Sequence, residues 1–419
     1  MSTLLVPTSE KVYSVASRMP FLSLVSQEEH STEEQVQIFL MRDLTRLGWR
    51  LRSNPNIPNA FEFAPPDTYD KRVTRQTMAY ARNQIIDDNK DWIETHLPLA
   101  RKNLAHGRDV LKSPIIPRIE VCRTQKARDL FRMYRYYWSS PYSEYVGRRI
   151  RLLIRDDGIK GSPVIGIAAL GSSIIHIPDR DNWIGWDLKT RTNRIIFMMD
   201  AYVLGALPPY NHLLGGKLMA YLLASNELRS IFSQKYTGVT TIIKERQAHD
   251  MVLIVTTSLY GRNSSQYNRL KYEDQLLYQP IGETAGFGTL HISNDTFRAM
   301  RQLLIESDKD ISHVFGNGAN WRLRVIKRAC ELMGMDSETI LNHSFKRGLF
   351  AVPLAYNWQE FLNGDELEPK YRDLPMNDLV GYWKGRWFEM RKKNELVIQR
   401  VKDFSPNDFS IEKSRLELD

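Results

Sequence analysis

The chain of 419 residues is 42% hydrophobic and 26% charged, so it can bury a sizeable core in two or three structural units. Its two distant cysteines, Cys122 and Cys330, exclude a disulfide framework and a Cys-rich zinc site. The N-terminus does not resemble a secretory signal, and no run approaches the roughly 18 apolar residues of a membrane span, so we expect a cytoplasmic protein without a membrane partner. The net charge of +9 favours polyanionic partners.

Three regions follow one another along the chain. Residues 1–115 predict mainly helix, and Thr32, as an N-cap before Glu33 and Glu34, marks one helix start. Residues 116–305 alternate β-branched runs with helical spacing, and residues 306–419 are basic and mixed, with mostly helical patterns.

The middle region carries the predicted sheet. The order of predicted strands and helices indicates an α/β (α+β) fold. In this fold a central mixed sheet is flanked by a helical N-terminal region and a mixed, mostly helical C-terminal region. The predicted strands are Arg118–Arg123, Arg149–Arg155, Pro163–Leu170, Arg194–Met199 and Met251–Thr256, with a helix at Leu213–Asn226.

Charged residues and tryptophans fall together at Asp179, Arg180, Asp181, Trp183 and Trp186. Such a group can place a carboxylate, hold a phosphate or stack a base, and the two aspartates are candidates for catalysis. The two aspartates alone supply too few ligands for a metal. In the alternative interpretation, the tryptophans anchor a loop to the core and the charged side chains cap backbone groups.

A glycine-bearing turn opens a helix at Gly215 and Gly216, followed by Lys217. Free amides and the positive end of the helix dipole form a generic anion site, to which Asn211 and Lys217 can contribute. Asp200, in the preceding strand, is a further catalytic candidate. The spacing is not that of a P-loop. Alternatively, the glycines only allow close packing of the helix on the sheet.

A second polar segment follows the apolar strand that ends at Thr256. Hydroxyls, amides and two arginines there suit a phosphate or a base edge, and Tyr267 is a catalytic candidate. A solvated loop with Asx and Ser turns is the alternative. The candidate contacts are Arg262, Asn263, Asn268 and Arg269.

Arginines and tyrosines alternate between residues 123 and 155. This composition is typical of nucleic-acid surfaces, through phosphate contacts and base stacking. We single out Arg148, Arg149 and Arg151 as candidate contacts. The alternative is a solvated face that covers core tyrosines.

Several short strings occur in a fixed order along the chain. They are Tyr145–Gly147, Arg180–Trp186, Gly215–Leu218, Tyr267–Leu270, Gly286–Gly288 and His343–Leu354, followed by Asn357 and Phe361–Gly364. In this order they resemble the A-subunit family of the Druantia anti-phage defence systems. The resemblance covers about residues 115–395 and implies a role in defence against phage, together with other subunits that include a very large helicase-like protein. It carries no assigned catalytic residue.

A looser resemblance concerns the fold alone. The strand, glycine turn, helix and strand from Arg194 to Thr256 are similar to the acetyl-CoA-binding core of the GNAT acetyltransferase fold. In that family an Arg or Gln, a Gly, and a further Gly or Ala line the pyrophosphate turn. The matching positions here hold His212, Gly215 and Lys217, so the first and last depart from the pattern, and the sequence identifies no cofactor.

Four functions therefore stay open. The first, which we favour, is a defence subunit that engages DNA or RNA. The others are an assembly subunit or homo-oligomer anchored by tryptophans, a metal-dependent nuclease at Asp179 and Asp181, and an acyl-CoA-dependent transferase at Asp200, Asn211 and Tyr267.

The favoured function requires a shared cleft beside a cationic rim. We expect Trp183, Gly215, Arg262 and Arg149 to lie on a single face of one sheet.

Overall fold

The structure is a computed structural model, which describes residues 4–6, 31–53, 61–66, 71–141, 147–240, 246–259, 261, 265–308 and 321–414. The strands of these residues are β1 (Leu4–Val6), β2 (Arg50–Ser53), β3 (Phe61–Ala64), β4 (Pro117–Val121), β5 (Arg149–Asp156), β6 (Val164–Ser172), β7 (Met198–Ala206), β8 (Leu253–Ser258), β9 (Lys271–Tyr272), β10 (Gln275–Leu276), β11 (Gln279–Glu283) and β12 (Gly348–Pro353).

The helices between these strands vary from one turn to five. In chain order they are α1 (Thr32–Arg46), α2 (Lys71–Asp88), α3 (Lys90–Lys102), α4 (Gly107–Lys112), α5 (Gln125–Tyr136), α6 (Pro178–Ile184), α7 (Leu188–Arg194), α8 (Gly215–Leu223), α9 (Asn226–Tyr236), α10 (Asn294–Glu306), α11 (Trp321–Leu332), α12 (Ser337–Leu341), α13 (Trp358–Asn363), α14 (Met376–Trp383), α15 (Glu389–Lys392) and α16 (Glu395–Asp403).

Seven strands form one mixed sheet, in the order β11-β12-β8-β7-β6-β5-β4. Strands β4 to β7 are antiparallel to their neighbours, whereas β7 and β8 run parallel. Strand β12 then pairs antiparallel with both β8 and β11. The sheet confirms the predicted α/β class; the likeness to the acetyltransferase fold stays a prediction. Because β12 belongs to residues 306–419, the sheet draws on both sides of the boundary that we expected at residue 305.

Helices cover both faces of this sheet, because successive side chains on a strand point to opposite sides. On β7, Met199 and Ala201 pack with Leu218 and Met219 of α8 in one core. That core also holds side chains of α9, α14 and α16. Met198, one position earlier, packs in the opposite core with side chains of α6 and α13. Helices α3 and α5 cover the rest of this second face.

A further core joins the N-terminal helix to later helices. Val36 and Leu40 of α1 pack with Met300 of α10 and Ile326 of α11. The N-cap of α1 is Ser31, one residue before the predicted Thr32. Its hydroxyl accepts from the Glu34 amide at 3.2 Å, and the Glu34 carboxylate accepts from the Ser31 amide at 3.0 Å. This reciprocal capping box satisfies two amides and favours the earlier start.

The start of β7 also differs from the sequence-based prediction. Residues 194–197, predicted as strand, complete α7 and a short 3-10 turn, and β7 begins at Met198. Asp187 explains this, because its carboxylate accepts from the Thr190 amide at 2.6 Å and starts a helix that runs into the predicted strand. Of the helices described above, none is both long and apolar enough to cross a bilayer.

Candidate nucleic-acid interface

The candidate site lies where the parallel strands β7 and β8 separate. Their ladder runs only from Met198 and Leu253 to Ala201 and Thr256, although β7 continues to Ala206. At the end of the ladder the Thr256 hydroxyl donates to the Ala201 carbonyl at 2.9 Å. The carboxyl ends of parallel strands commonly carry ligand sites, because the connecting segments diverge there. Here the connections are the turn into α8 and the 3-10 turn at Gln266–Arg269.

Two adjacent glycines shape the start of α8 for different reasons. A Cβ on Gly215 would lie 2.7 Å from the Tyr210 carbonyl oxygen and 2.8 Å from the Ala206 Cβ, so this position requires glycine for close packing. A Cβ on Gly216 would meet only the Gln266 side chain, at 3.4 Å. Packing therefore explains Gly215 but not Gly216, which lies at the positive end of the helix dipole.

Lys217 places an ammonium group at this helix start. The residue is 7% exposed, and its Nζ lies 3.5 Å from the Gln266 carbonyl oxygen and 4.3 Å from the centre of the Trp387 ring. Burial, with the positive charges of Arg269 and Arg386, lowers the pKa of Lys217 to about 8. We call Lys217, Arg269, Arg386 and Trp387 the Lys217 cluster.

The Lys217 cluster has a positive charge without internal compensation. Among the described residues, no carboxylate lies within ion-pairing distance of Lys217, Arg269 or Arg386. Both arginines are exposed, whereas the lysine between them is buried. An anion bound here would offset the repulsion that lowers the lysine pKa, so the arrangement suits a phosphate.

The C-terminal helices hold the turn in place from the other side. The Trp383 indole donates to the Leu214 carbonyl at 3.2 Å, and Arg391 donates to the His212 carbonyl at 3.0 Å. Burial, Arg400 and Arg391 lower the pKa of His212. Two further cations therefore flank the turn. The residues predicted above do not include Arg386, Arg391 or Arg400. The basic residues close to Trp383 and Trp387 are the signal that points to the first two.

The remaining predicted residues of the two turns are less accessible. Tyr267 is buried and stacks on Tyr278, with ring centres 4.7 Å apart, and burial raises its pKa. Asn211 hydrogen-bonds to the Tyr137 hydroxyl, and Asn268 is half-buried. The predicted contacts Arg262 and Asn263 lie outside the described residues.

The Asp-Trp segment forms a buried charge network. Arg180 is fully buried and donates twice to one oxygen of Asp181, at 2.8 and 2.6 Å. It also donates to the Ile174 carbonyl at 2.6 Å. The other Asp181 oxygen lies 2.8 Å from His176 Nδ1 and accepts from Arg191 at 2.9 Å. This placement differs from the phosphate contact predicted for Arg180, because its guanidinium has no exposed surface.

Of the two tryptophans of this segment, Trp186 is a core residue and Trp183 is partly buried against the same core. Trp183 stacks on Trp358 of α13, with ring centres 4.3 Å apart, and Trp186 is 9% exposed. The Asp179 carboxylate accepts from the Glu283 amide at 2.8 Å, so it holds α6 against β11. The contacts favour the interpretation in which this segment anchors itself to the sheet.

The prediction that the candidate residues share one cleft on one face of the sheet is wrong. Trp183 packs with the α6 and α13 core, whereas Gly215 starts α8 in the core on the opposite face. Side chains alternate along β5, and Arg149 has the same parity as Leu153, which packs with α5 on the α6 side. The predicted residues therefore lie on both faces of the sheet, because the connection from β6 to β7 covers one face and the connection from β7 to β8 covers the other.

Of the other predicted residues, Asp200 and Arg148 lie near the start of β7, and Arg151 pairs with Ala169 of β6. The Asp200 carboxylate accepts from the Ser173 hydroxyl at 2.8 Å and the Ile174 amide at 2.9 Å, so it caps the loop after β6. Arg148 donates to the Ala248 carbonyl at 3.0 Å, and Arg151 lies over the Phe131 ring. Six residues of strand, about 20 Å, separate Asp200 from the end of β7, so Asp200 does not approach Asn211 as the transferase hypothesis needs.

Within the ranges described above, no group of three or more His, Cys, Asp or Glu side chains is placed to hold a metal ion. Asp179 and Asp181 have separate backbone and side-chain partners. The nuclease hypothesis therefore gains no support from the position of these two carboxylates.

Comparison with known proteins places the chain in a family. The family model described as Druantia protein DruA matches residues 69–364. A curated Druantia protein DruA from Escherichia coli (strain UMEA 4076-1) is 36% identical over 314 residues, which are 74% of this chain and 76% of the relative. No solved structure matches. The match spans the central sheet and the start of α8, and the chain belongs to the Druantia DruA family.

Proposed function

We propose that this chain is a subunit of a Druantia anti-phage system that binds nucleic acid through the Lys217 cluster. Family membership supports the defence role. The observation that carries the binding role is a buried lysine beside two exposed arginines at a helix start, with no carboxylate partner in the described residues. Phosphates are the anions that such a combination of amides and cations recognises.

The expected binding mode is contact with the phosphate backbone rather than base recognition. Three cations that each displace a counterion predict a slope of about −3 for the logarithm of affinity against the logarithm of salt concentration. Trp387 is half-buried, with Lys217 at 4.3 Å and Arg386 at 5.2 Å from its ring centre. Its free edge can contact a sugar or base but offers no hydrogen-bond pattern that reads sequence.

Fluorescence anisotropy with labelled single-stranded and duplex DNA and RNA tests this proposal. Arg269→Ala/Arg386→Ala should weaken binding at least tenfold and reduce the salt slope by about 2. Both side chains are exposed, so we expect the fold to tolerate the change. Wild-type binding that is absent or independent of salt would contradict the proposal.

A double variant with the same change in charge provides the matched control. Lys90 on α3 and Arg298 on α10 expose 70% and 68% of their side chains, and neither helix belongs to the α8 core. Lys90→Ala/Arg298→Ala should retain binding within about twofold, since distant exposed charges act weakly. If both double variants weaken binding equally, net charge rather than the Lys217 cluster is responsible.

A second surface favours an additional role in assembly with another Druantia subunit. Ile174, Ile175 and Leu188 are 56%, 67% and 68% exposed on two neighbouring segments. Arg180 holds the Ile174 carbonyl, and Asp200 holds the Ile174 amide, so the first segment is rigid although it is exposed. Rigid apolar side chains lose little entropy on binding and are typical of contact surfaces.

Co-purification of the chain with the products of neighbouring Druantia genes tests this surface. Ile175→Asp/Leu188→Asp should release the partner without affecting DNA binding. Ile116, exposed at 51% beside β4, is the matched control, and Ile116→Asp should leave the complex intact. A complex that survives the double substitution would contradict the assembly role.

A further inference from the structure

A second cationic cluster lies at the opposite end of the sheet from the Lys217 cluster. It contains Arg123, just after β4, Arg149, at the start of β5, and Lys235, near the end of α9. All three residues are exposed. We call them the Lys235 cluster.

Backbone pairing brings these three residues together. Val121 of β4 pairs with Leu152 of β5, and the Cys122 amide donates to the Arg151 carbonyl at 2.9 Å, which sets Arg123 beside the start of β5. Lys235 Nζ donates to the Arg149 carbonyl at 2.7 Å. The Tyr236 hydroxyl donates to the same carbonyl at 3.2 Å, so two side chains of α9 hold this helix at the strand.

Like charges also lie close to the Lys235 ammonium group. Neither Arg123 nor Lys235 has a carboxylate within ion-pairing distance among the residues that the structure describes. Burial lowers the pKa of Lys235, and Arg123 and Arg149 lower it further. A polyanion that contacts Arg123 and Lys235 would relieve the repulsion between these two charges, which come from separate elements.

The two clusters are too far apart to act as one patch. Arg149 pairs with Gly171, and Gly171 pairs with Asp200, near the start of β7. The Lys217 cluster lies beyond Ala206, at the other end of the same strand. The strand alone spans about 20 Å between these points, which exceeds the Debye length of about 10 Å at 0.1 M salt.

We propose that one nucleic-acid molecule occupies both clusters, so that the Lys235 cluster is a second backbone contact. This inference rests on the proposed function of the Lys217 cluster. Helices α8 and α9 pack in the same core, so Lys217 and Lys235 border one helical layer, whereas the Arg149 side chain leaves the start of β5 toward the other face of the sheet. A duplex has one phosphate per strand every 3.4 Å, so about 6 base pairs cover the 20 Å of strand. A longer duplex can therefore bind bivalently, and a very short one cannot.

Binding of duplexes of about 6 and about 30 base pairs by the full chain tests the inference. The long duplex should bind at least tenfold more tightly, with a steeper salt slope. Arg123→Ala/Lys235→Ala should weaken the long duplex about tenfold and reduce its slope by about 2. Lys90→Ala/Arg298→Ala remains the control.

The outcomes separate the inference from the function on which it rests. If Arg269→Ala/Arg386→Ala weakens binding while Arg123→Ala/Lys235→Ala changes neither affinity nor slope, the second contact is overturned and the first stands. If wild type binds no nucleic acid of either length, the proposed function fails. If Arg123→Ala/Lys235→Ala instead releases a partner subunit and leaves DNA binding intact, the Lys235 cluster is a protein contact and the inference is overturned.

Discussion

The ammonium group of Lys217 lies 4.3 Å from the centre of the Trp387 ring, so the helix that follows β7 is joined to the C-terminal helices at the candidate interface. The ring covers the Lys217 ammonium group. Burial and two nearby arginines lower the pKa of this group to about 8. A cation over an aromatic face is stabilised by roughly 0.5–2 kcal/mol, which partly offsets the cost of burial. Lys217 therefore keeps its proton near pH 7 although its surroundings disfavour the charged form.

The first prediction concerns the pH dependence of this lysine. Between about pH 8 and its ordinary pKa of 10.5, the unfolded chain keeps the Lys217 proton that the folded chain loses. The contribution of Lys217 to stability therefore rises with pH in that window. Lys217→Met should be more stable than wild type at pH 7, and the difference should shrink toward pH 10. Urea denaturation at several pH values measures it; a constant difference would contradict the prediction.

The same lysine predicts a pH dependence of binding. Its proton is lost as the pH rises through about 8, so the affinity of wild type for DNA should fall between pH 7 and pH 9. Lys217→Met should bind more weakly at pH 7 and show no such decline. Anisotropy titrations at constant ionic strength measure both effects, and parallel pH profiles of the two proteins would sink this assignment.

The second prediction concerns the two glycines of α8. Gly215→Ala should lower the free energy of unfolding by about 2 kcal/mol or more, because the added Cβ overlaps the Tyr210 carbonyl. Gly216→Ala should be neutral or stabilise by up to about 1 kcal/mol, since alanine favours a helix. The added methyl of Gly216→Ala should nevertheless weaken DNA binding. Thermal unfolding and anisotropy separate these effects; equal stabilities of the two variants would contradict the packing argument.

The third prediction concerns the buried pair of Arg180 and Asp181. Arg180→Ala removes both hydrogen bonds to one oxygen of the 5% exposed Asp181, whose other oxygen keeps Arg191, so we expect a loss of about 1–3 kcal/mol in the free energy of unfolding. The exposed Lys189, on the following helix, is the control, and Lys189→Ala should change stability by less than about 0.5 kcal/mol. Urea midpoints measure both, and similar midpoints would refute the assigned structural role.

The fourth prediction concerns two buried histidines. Burial lowers the pKa of His291 to about 4 and that of His343 to about 3, and their rings are 5.6 Å apart. Below the ordinary value of 6.5 the unfolded chain binds protons that the folded chain rejects, so stability should fall from about pH 6.5 toward pH 4. His343→Gln should reduce this pH dependence. Denaturation at pH 7 and pH 5 tests it, and an unchanged pH dependence would count against it.

Much of the fold could be predicted from local patterns. The antiparallel pair β5 and β6 follows from two apolar runs around a polar turn, and the strong apolar run before Thr256 is β8. Local patterns do not decide where α1 starts, because Ser31 and Thr32 are both good N-caps. Only the reciprocal hydrogen bonds between Ser31 and Glu34 decide between them. Pairing between distant segments, such as β12 with β8, left no local signal.

The candidate site, like the fold, could be predicted only where a local pattern marks it. The glycine turn, Lys217 and Arg269 each stand out locally, since glycine, amide and cation composition marks an anion site. Arg386, and the position of Trp387 beside Lys217, were missed because these contacts come from the packing of α14 on α8. Arg180 was assigned to phosphate because nothing in its neighbours along the chain shows that its guanidinium is buried.

By itself, the sequence determined the α/β class, the positive charge and the residue types available at each turn. Hydrophobic period, turn chemistry and ionisation are properties of neighbouring residues, so they can be recognised without coordinates. Only the tertiary structure decided which cations are satisfied internally, such as Arg148 on the Ala248 carbonyl, and which have no carboxylate nearby among the described residues, such as Lys217. The cost of a buried charge depends on partners that folding brings from distant parts of the chain.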